Sequence, residues 1–542
     1  MATDQPGSVA KPADIGLRRE MGLIGATWSS ETSIIGSGWL FGALFAAQAA
    51  GPAALIGWVI GGIIIVVLAL VHAELGAMYP VAGGTARFPH FAYGSVAGIS
   101  FGFFSWLQAI TVAPIECYAV MQYLSYYYHG IYHASTDTVS GVGYGLTIAL
   151  LAIFTVINFF AMRTFNRVNS AITWWKVAIP VVAIILLFTK FHAGNFSAGG
   201  GFLPYGIKAL FGAIPSAGII FAYLGFEQAD QLAGEIREPQ RNLPRAIIMA
   251  VALGTVIYVL LQLVFIGALP AGQLTHGFAK ISNHSILTGP FAGLAGLVGI
   301  AWLATLLRID AVISPGGTGL IYMTSTSRIG YGLARNRYYP QAFAKVDRRG
   351  VPWISLIIAF LLGLVFLLPF PSWHSLVGLV TSASVLMYAG APLSMAALRR
   401  QVPDAVRPYR LPAAEVLGPI AFILANLIIY WSGFDVVWKL GVAVGIGYVL
   451  IGIFMAFDPQ RPPLDWRAAQ WLPVYLVGMG IISWQGQYNG TGNLPFWWDM
   501  LTVAAFSLIV YYWARAARLP RAKVQELVAR QAPPEDREAL AA

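Results

Sequence analysis

Long uninterrupted apolar runs constrain this chain more than any other feature of its sequence. Residues 53–71 and 246–268 contain few polar side chains, and shorter runs occupy 146–157 and 177–188. A helix of about 20 apolar residues crosses the ~30 Å hydrocarbon core of a bilayer. The runs are continuous rather than alternating, which favours helices over barrel strands. The sequence therefore predicts an all-α polytopic membrane protein.

Composition supports the same class. Hydrophobic residues make up 58% of the chain and charged residues only 10%, whereas soluble domains carry roughly 25% charged residues. We predict about 14 transmembrane helices from the hydropathy pattern. The predicted spans are 21–50, 53–79, 96–127, 142–161, 170–190, 207–230, 245–268, 291–328, 352–370, 374–398, 415–432, 436–457, 470–487 and 495–516.

The distribution of positive charge predicts the orientation. With a cytoplasmic N-terminus, 27 of the 33 Lys and Arg residues fall on the cytoplasmic side and four on the outer side. This split follows the positive-inside rule and predicts a bacterial-type inner membrane protein with both termini cytoplasmic. Residues 1–20 form an N-terminal segment without a cleavable signal pattern. Residues 517–542 form a tail with a short surface helix from about Arg521 to Arg530.

Several function classes find no support in the sequence. The single cysteine, Cys117, excludes an intrachain disulfide. No His-Glu-x-x-His zinc motif, phosphate-binding loop or cysteine nucleophile is present, and no repeated pore loop indicates a channel. The net charge of +10 follows from topology. We therefore expect no enzyme activity, cofactor, metal site or nucleic-acid partner.

Two spans carry glycines and polar groups at mid-membrane. The first contains Ile35, Gly36, Ser37 and Gly38. Glycine weakens a helix, and unwound backbone inside a membrane must line a protein-enclosed cavity. Freed amides at a half-helix N-terminus would bind a carboxylate. Close helix packing through small residues is the alternative.

The sixth span repeats this pattern at the matching position of a second set of five spans. It contains Phe221, Ala222, Tyr223, Leu224 and Gly225. Glycine-interrupted spans at corresponding positions indicate the binding site of an inverted-repeat transporter. The two repeats would be 21–190 (spans one to five) and 207–398 (spans six to ten), followed by four additional spans in 415–516.

Three stretches carry a family resemblance. They are IGSGWLF at 35–41, ELGAMYPVAGG at 74–84, and FAYLGFE at 221–227 with Glu235, Pro239 and Arg241 beyond it. The chain resembles the amino acid–polyamine–organocation (APC) transporter superfamily over about residues 20–457. The resemblance implies a leucine-transporter type five-plus-five inverted repeat with broken first and sixth spans. It also implies secondary active transport of an amino acid.

The chain departs from the family pattern in two places. Trp39-Leu40-Phe41 stands after Gly-Ser-Gly, where the family usually has Ile-Phe, and Thr85-Ala86-Arg87 follows the glycine pair of the second motif, where the family has an aromatic residue. The Trp-Leu-Phe variant is similar to a bacterial branch that contains aspartate–proton symporters. The substrate side chain therefore stays open between acidic, neutral and cationic.

The resemblance also implies roles for individual residues. The substrate carboxylate would meet the amides of Gly36, Ser37 and Gly38. Its ammonium would meet carbonyls near Phe221, Ala222 and Leu224, with Phe221 or Tyr223 as an aromatic gate. Half-helix ends of these signs favour such charges. Ordinary packing is the alternative for both aromatic residues.

Lys176, six residues into the fifth span, is the candidate for proton coupling. A buried ammonium is costly unless it is paired or loses its proton. The resemblance implies that its amine stabilises the broken first span through carbonyls near Gly25. The alternative is that Lys176 snorkels to the cytoplasmic edge.

Other charged residues within spans are candidates for the site or its gates. These are Glu31, Glu116, Glu227, Arg308 and Asp310. Arg308 could bind a second substrate carboxylate; the alternatives are a gate at the outer mouth or an ion pair with Glu116 or Glu227. The carboxylates favour a proton or cation path, and with it a cationic substrate.

We further expect Glu74, and Glu235 with Arg237, to belong to a cytoplasmic gate or to structural ion pairs, with a short interfacial element at 83–95. The predicted function is amino acid transport by proton symport with alternating access. An exchanger or a polyamine or organic cation carrier is the alternative. Expected partners are the amino acid, protons and membrane lipid.

Overall fold

The apolar runs fold into helices joined by short connections. A computed structural model of the chain describes residues 21–80, 84–160, 162–231, 233 and 236–531, and for 162–170 and 529–531 it describes the backbone alone. The helices are α1 (Leu23–Ile34), α2 (Ser37–Ala50), α3 (Ala54–Met78), α4 (Gly84–Tyr93), α5 (Ser95–Leu124), α6 (Gly141–Phe160), α7 (Met162–Phe188), α8 (Gly206–Ser216), α9 (Ile219–Tyr223), α10 (Gln228–Gln231), α11 (Pro239–Ala268), α12 (His284–Thr288), α13 (Pro290–Leu297), α14 (Ala301–Arg335), α15 (Trp353–Leu367), α16 (Trp373–Tyr388), α17 (Gly390–Gln401), α18 (Ala414–Trp431), α19 (Phe434–Phe457), α20 (Trp466–Ala469), α21 (Trp471–Gln485), α22 (Phe496–Ala517) and α23 (Arg521–Gln531). A hairpin of β1 (Tyr132–His133) and β2 (Thr138–Val139) joins α5 to α6.

Nine continuous helical segments in the described ranges are long and apolar enough to cross a membrane. They are Ser37–Met78, Ser95–Leu124, Gly141–Phe160, Ala171–Phe188, Pro239–Ala268, Trp373–Gln401, Ala414–Trp431, Phe434–Phe457 and Phe496–Ala517. Trp353–Leu367 is a shorter apolar helix. The chain is therefore a multi-pass membrane protein of helices.

The helices divide into an inner and an outer set. The apolar windows of α5 and of the continuous α16–α17 segment are fully buried, whereas those of α6, α19 and α22 are only 33%, 28% and 33% buried. On α19 the exposed side chains include Ile446, Val449 and Ile453. Exposed apolar side chains on the outer set are typical of a helical bundle in a bilayer. The buried inner helices form the setting for the functional site.

The predicted eighth span, 291–328, is wrong as a single helix. The structure has α13 and α14, separated around Gly299, which has φ +84°. The amide of Gly299 donates to the carbonyl of Gly296 (3.2 Å), and that of Ile300 to Ala295 (2.8 Å). This is the glycine-dependent termination in which a left-handed residue closes the last turn. α14 then continues to Arg335, beyond the predicted end.

The C-terminal tail contains the helix that the sequence predicts from Arg521 to Arg530. α23 spans Arg521–Gln531, and Val524 and Val528 on one face are buried. Before it, the amide of Leu519 donates to the carbonyl of Ala92 in α4 at 3.1 Å. The helix therefore has a packed face and is not fully solvated.

Glu74 near the end of α3 joins three separate elements. Its carboxylate accepts two hydrogen bonds from Arg399 of α17, at 2.8 and 2.5 Å. It also accepts the amide of Leu411 at 2.7 Å and lies 3.5 Å from Arg407. Such a buried, doubly bonded pair fixes α3 against α17 and the connection that follows. Glu235 of the proposed gate lies outside the described residues.

Replacing Glu74 tests this connection. Glu74→Ala leaves Arg399 and the Leu411 amide without their acceptor, and removing one partner of a buried ion pair costs about 3–5 kcal/mol. We expect a clear fall in the midpoint of thermal unfolding in detergent. Asp404→Ala is the matched control, because Asp404 pairs with Arg521 while both side chains are more than half exposed, and such surface pairs contribute about 0–1 kcal/mol. Equal shifts for both variants would contradict this role.

Candidate functional site

The first predicted span is two helices, α1 and α2, interrupted at Ile35 and Gly36. Gly36 has φ −114° and ψ −138°, which are not helical. A Cβ on Gly36 would lie 2.7 Å from Glu116 Oε1 and 2.9 Å from Thr318 Oγ1. The glycine therefore allows α5 and α14 to approach the interrupted backbone closely.

The N-terminus of α2 is already occupied by a carboxylate. The Ser37 amide donates to Glu116 Oε2 at 2.9 Å, and Glu116 is fully buried on α5. Free amides at a helix N-terminus favour an anion. The group that the sequence assigns to a substrate carboxylate thus binds a carboxylate of the protein itself.

The C-terminal end of α1 binds a cation. Lys176 Nζ donates to the carbonyl of Thr32 and to Thr318 Oγ1, the latter at 2.9 Å. The carbonyl of Ile34 accepts from Tyr258 Oη at 2.8 Å. A helix C-terminus favours positive charge. The end of α1 and the start of α2 therefore attract charges of opposite sign.

The structure corrects two expectations for Lys176. Its contact on the first span is the carbonyl of Thr32, about two helical turns beyond Gly25. The predicted contact near Gly25 is therefore wrong, because the amine reaches the end of α1 rather than its start. Lys176 is fully buried, so the alternative in which it snorkels to the cytoplasmic edge is wrong as well.

The Lys176 ammonium is attracted by three buried carboxyl groups, those of Glu31, Glu116 and Asp310. Asp310 accepts from Trp175 Nε1 (2.8 Å) and Ser314 Oγ (2.7 Å). Neither oxygen of Glu31 has a hydrogen-bond partner among the described residues. One ammonium cannot neutralise three buried carboxylates, so the charge of this cluster is not balanced by Lys176 alone.

The sixth predicted span contains two interruptions. α8 and α9 are separated at Ala217 and Gly218, and α9 and α10 at 224–227. The sequence indicates the break between α9 and α10 but not the one between α8 and α9. Gly225 has φ +120°, and a Cβ there would lie 2.7 Å from the carbonyl carbon of Ser33. Glycine is required here both by the backbone conformation and by the close approach of α1.

Glu227 stabilises the break between α9 and α10. Its carboxylate accepts the Gly225 amide at 2.9 Å, Tyr322 Oη at 3.1 Å and Tyr388 Oη at 2.5 Å. These donors come from the break itself, from α14 and from α16. Such a bonded, buried carboxylate organises the backbone around it. The expected ion pair of Glu227 with Arg308 is not formed.

Arg308 lies away from the two breaks. Its guanidinium is 3.6 Å from the centre of the Tyr126 ring, just beyond the end of α5. This contact has the geometry of a cation–π interaction. Pairing of Arg308 with Glu116 or Glu227 is therefore wrong, and the side chain is not placed to bind a substrate carboxylate at the breaks. Asp310 instead faces Trp175 and Ser314.

The break between α1 and α2 lies against the break between α9 and α10; these are the two breaks of the site. A Cβ on Gly38 would lie 2.6 Å from Cα of Ala222, and Ser30 Oγ donates to the carbonyl of Phe226 at 3.0 Å. Between them is a cavity of about 10 Å³, which is room for one water rather than an amino acid. Its lining residues are Ser33, Ile34, Gly36, Gly38, Val112, Glu116, Phe221, Leu224, Thr318 and Tyr322.

The two aromatic gate candidates, Phe221 and Tyr223, have different surroundings. Phe221 lines the cavity, and its role as a gate stays a prediction. Tyr223 instead donates to the carbonyl of Trp58 at 2.9 Å and packs on Tyr258. Its hydroxyl is thus engaged with α3, and the packing alternative describes Tyr223 better.

Trp373 covers the site and was not indicated by the sequence. Its Nε1 donates to Ser37 Oγ at 2.7 Å, and its ring meets Phe221 edge-on at 5.6 Å. Phe45 stacks between Trp373 and His374. Trp373 begins α16, more than 330 residues after Ser37, so only the tertiary fold reveals the contact.

Comparison with known proteins gives the family. A family model described as amino acid permease matches residues 21–482. The chain belongs to this amino acid permease family. As an amino acid permease it is a membrane transporter and not an enzyme.

Curated relatives of this permease extend over nearly its whole length. The aspartate-proton symporter of Bacillus subtilis (strain 168) is 38% identical over 91% of this chain and 95% of its own. The glutamate/serine transporter AimA of the same strain is 36% identical over 92% and 94%. The aromatic amino acid transport protein AroP of Escherichia coli (strain K12) is 27% identical over 70% and 81%.

The Trp373 bond gives a prediction for transport. Trp373→Phe keeps the ring but leaves Ser37 Oγ without its donor, and one hydrogen bond contributes about 0.5–1.5 kcal/mol. If closure over the break accompanies substrate binding, KM should rise about two- to tenfold. Trp438→Phe, exposed on α19, is the matched control and should leave uptake unchanged. An unchanged KM in Trp373→Phe would remove Trp373 from the closing step.

Proposed function

We propose that this permease is an amino acid–proton symporter that works by alternating access in a bacterial-type inner membrane, with both termini cytoplasmic. The names of two relatives, an aspartate-proton symporter and a glutamate/serine transporter, support this proposal. They do not favour the exchanger or polyamine carrier alternative. The observation that carries the proposal is the break between α1 and α2, where Glu116 binds the Ser37 amide and Lys176 binds the carbonyl of Thr32.

We propose a five-plus-five inverted repeat for the fold, with repeats at 21–190 and 207–398. The interruptions in the first and sixth segments support this arrangement. Four further spans would occupy 415–516. About 14 crossings result when the broken and shorter helices are counted with the long apolar ones.

The substrate would bind across the two breaks. Its carboxylate would take the amides at the start of α2, at Gly36, Ser37 and Gly38, where a helix N-terminus favours an anion. Its ammonium would face carbonyls of Phe221, Ala222 and Leu224 at the end of α9. Phe221 and Trp373 would close over it. The small cavity means that these side chains must move before an amino acid can enter.

Proton coupling follows from competition for one amide. Glu116 holds the Ser37 amide at 2.9 Å, so an incoming substrate carboxylate meets both an occupied donor and a like charge. Protonation of Glu116 removes that charge and weakens its hold on the amide. Lys176, attracted by Glu116, Asp310 and Glu31, would exchange this proton within the cluster. Substrate and proton then favour each other's binding.

The substrate class needs a direct experiment. Purified protein in liposomes should accumulate labelled aspartate, glutamate or serine when the substrate-side compartment is more acidic, and accumulation should collapse with a protonophore. Preloaded substrate without a pH gradient tests exchange, and labelled putrescine tests the polyamine alternative. Uptake that needs internal substrate and ignores the gradient would overturn symport.

Lys176→Met gives the sharpest test of coupling. We expect proton-driven accumulation to fall at least tenfold, because the variant cannot exchange a proton with Glu116 or hold the carbonyl of Thr32. Lys439→Met, whose amine lies over the Phe370 ring away from the breaks, is the matched control. Glu116→Gln should make uptake less dependent on pH while binding persists. Wild-type pH dependence in both site variants would exclude this cluster as the coupling site.

A further inference from the structure

A deep apolar crevice runs along α19, far from the two breaks. Its volume is about 650 Å³. α19 forms one wall from Val437 to Met455, and the first half of α21 forms another. The start of α5, near Val96, closes the end where α19 finishes. No lining residue is shared with the cavity between the breaks.

Glycines make the α19 wall open. Gly441, Gly445 and Gly452 line the crevice, and a Cβ on any of them would meet no atom within 4 Å. Their spacing of four and seven residues places them on one helix face. Gly447 lies on another face, where a Cβ would clash with the Phe103 ring. The open face therefore has no neighbour within the described part of the chain.

The dimensions fit an acyl chain. The wall from Val437 to Met455 rises about 27 Å at 1.5 Å per residue, close to the ~30 Å hydrocarbon thickness. The crevice has three helix walls at the end formed by Met455, Val96 and Leu472. An elongated, flexible and apolar ligand that enters from the bilayer matches this shape.

The mouth at that end is basic. Leu464 and Trp466 line it; Arg461 Nη1 donates to the carbonyl of Met455 at 3.2 Å, and Arg467 follows Trp466. Both arginines are exposed, and neither forms an ion pair with another described residue.

The nearby carboxylates have other partners. Asp458 lies 3.9 Å from Arg337. Asp465 accepts the amide of Ser95 at 2.9 Å. The positive charge of Arg461 and Arg467 is therefore available to a ligand, and basic pockets between membrane helices bind anionic lipid headgroups.

We propose that this crevice is a binding site for an anionic glycerophospholipid. One acyl chain lies along the glycine face of α19, and the phosphate contacts Arg461 and Arg467 beside Trp466. A helix of a second copy of the chain is the alternative occupant of the glycine face. The charge at the mouth therefore favours lipid.

Native mass spectrometry of the full chain tests the proposal. The purified protein is equilibrated with phosphatidylglycerol or phosphatidylethanolamine of the same acyl composition. We expect at least fivefold more retained phosphatidylglycerol. The double variant Arg461→Gln with Arg467→Gln should reduce it to the phosphatidylethanolamine level. Lys345→Gln with Arg348→Gln, two exposed charges in another loop, is the matched control.

Gly445→Leu places a side chain in the crevice and should remove both lipid adducts. Gly480→Leu is its control, because a Cβ there also meets no atom within 4 Å but Gly480 does not line the crevice. If Gly445→Leu fails to fold, the variants of the two exposed arginines still test the proposal.

Retention of phosphatidylglycerol in both the arginine and glycine variants would overturn the proposal. So would equal retention of the two lipids by the unmodified protein. Loss of a dimer by Gly445→Leu with lipid unchanged would assign the crevice to a second copy instead. Lipid retention is measured without transport, so this result is independent of the proposed symport.

Discussion

Backbone groups inside a bilayer cannot rely on water, and this single constraint explains how the break between α1 and α2 is built. At the end of α1 the freed carbonyls of Thr32 and Ile34 accept from Lys176 and Tyr258. At the start of α2 the Ser37 amide donates to Glu116. Each unwound end is thus paired with a side chain from another helix. Under the proposed symport, the charged residues that satisfy the backbone would also exchange protons, so one set of contacts would both stabilise the fold and supply its chemistry.

The sequence predicted the class of fold well because hydrophobic runs and basic loops report directly on the membrane. It also placed the interruptions in the first and sixth segments, since Gly36 and Gly225 are local signals. It missed the division at Gly299 and the additional break at Gly218, because a single glycine within an apolar run is compatible with either a continuous or a terminated helix. Those ends depend on left-handed backbone geometry that only the structure reveals.

Prediction of the candidate site was more uneven, for a physical reason. Contacts within one segment can be inferred from spacing, whereas Trp373 meets Ser37 only through the tertiary arrangement. Residues such as Arg308 and Glu227 both lie within apolar spans, so sequence alone treats them alike. In the structure one lies on the Tyr126 ring at the end of α5 and the other binds three donors at the second break. A charge inside a span indicates a partner, but not which partner.

The bonds of Glu227 have a consequence for how the molecule can move. Tyr322 and Tyr388 connect the α9–α10 end of the sixth segment to α14 and α16, so a movement of this end would have to break those bonds or carry the two helices with it. The other end has a different connection, because α8 meets α9 at Gly218, whose φ is +86°. A rotation about Gly218 would change the position of α8 without breaking the bonds of Glu227. Gly218 lies beside the Trp373 ring, so such a rotation would also alter the packing of that ring.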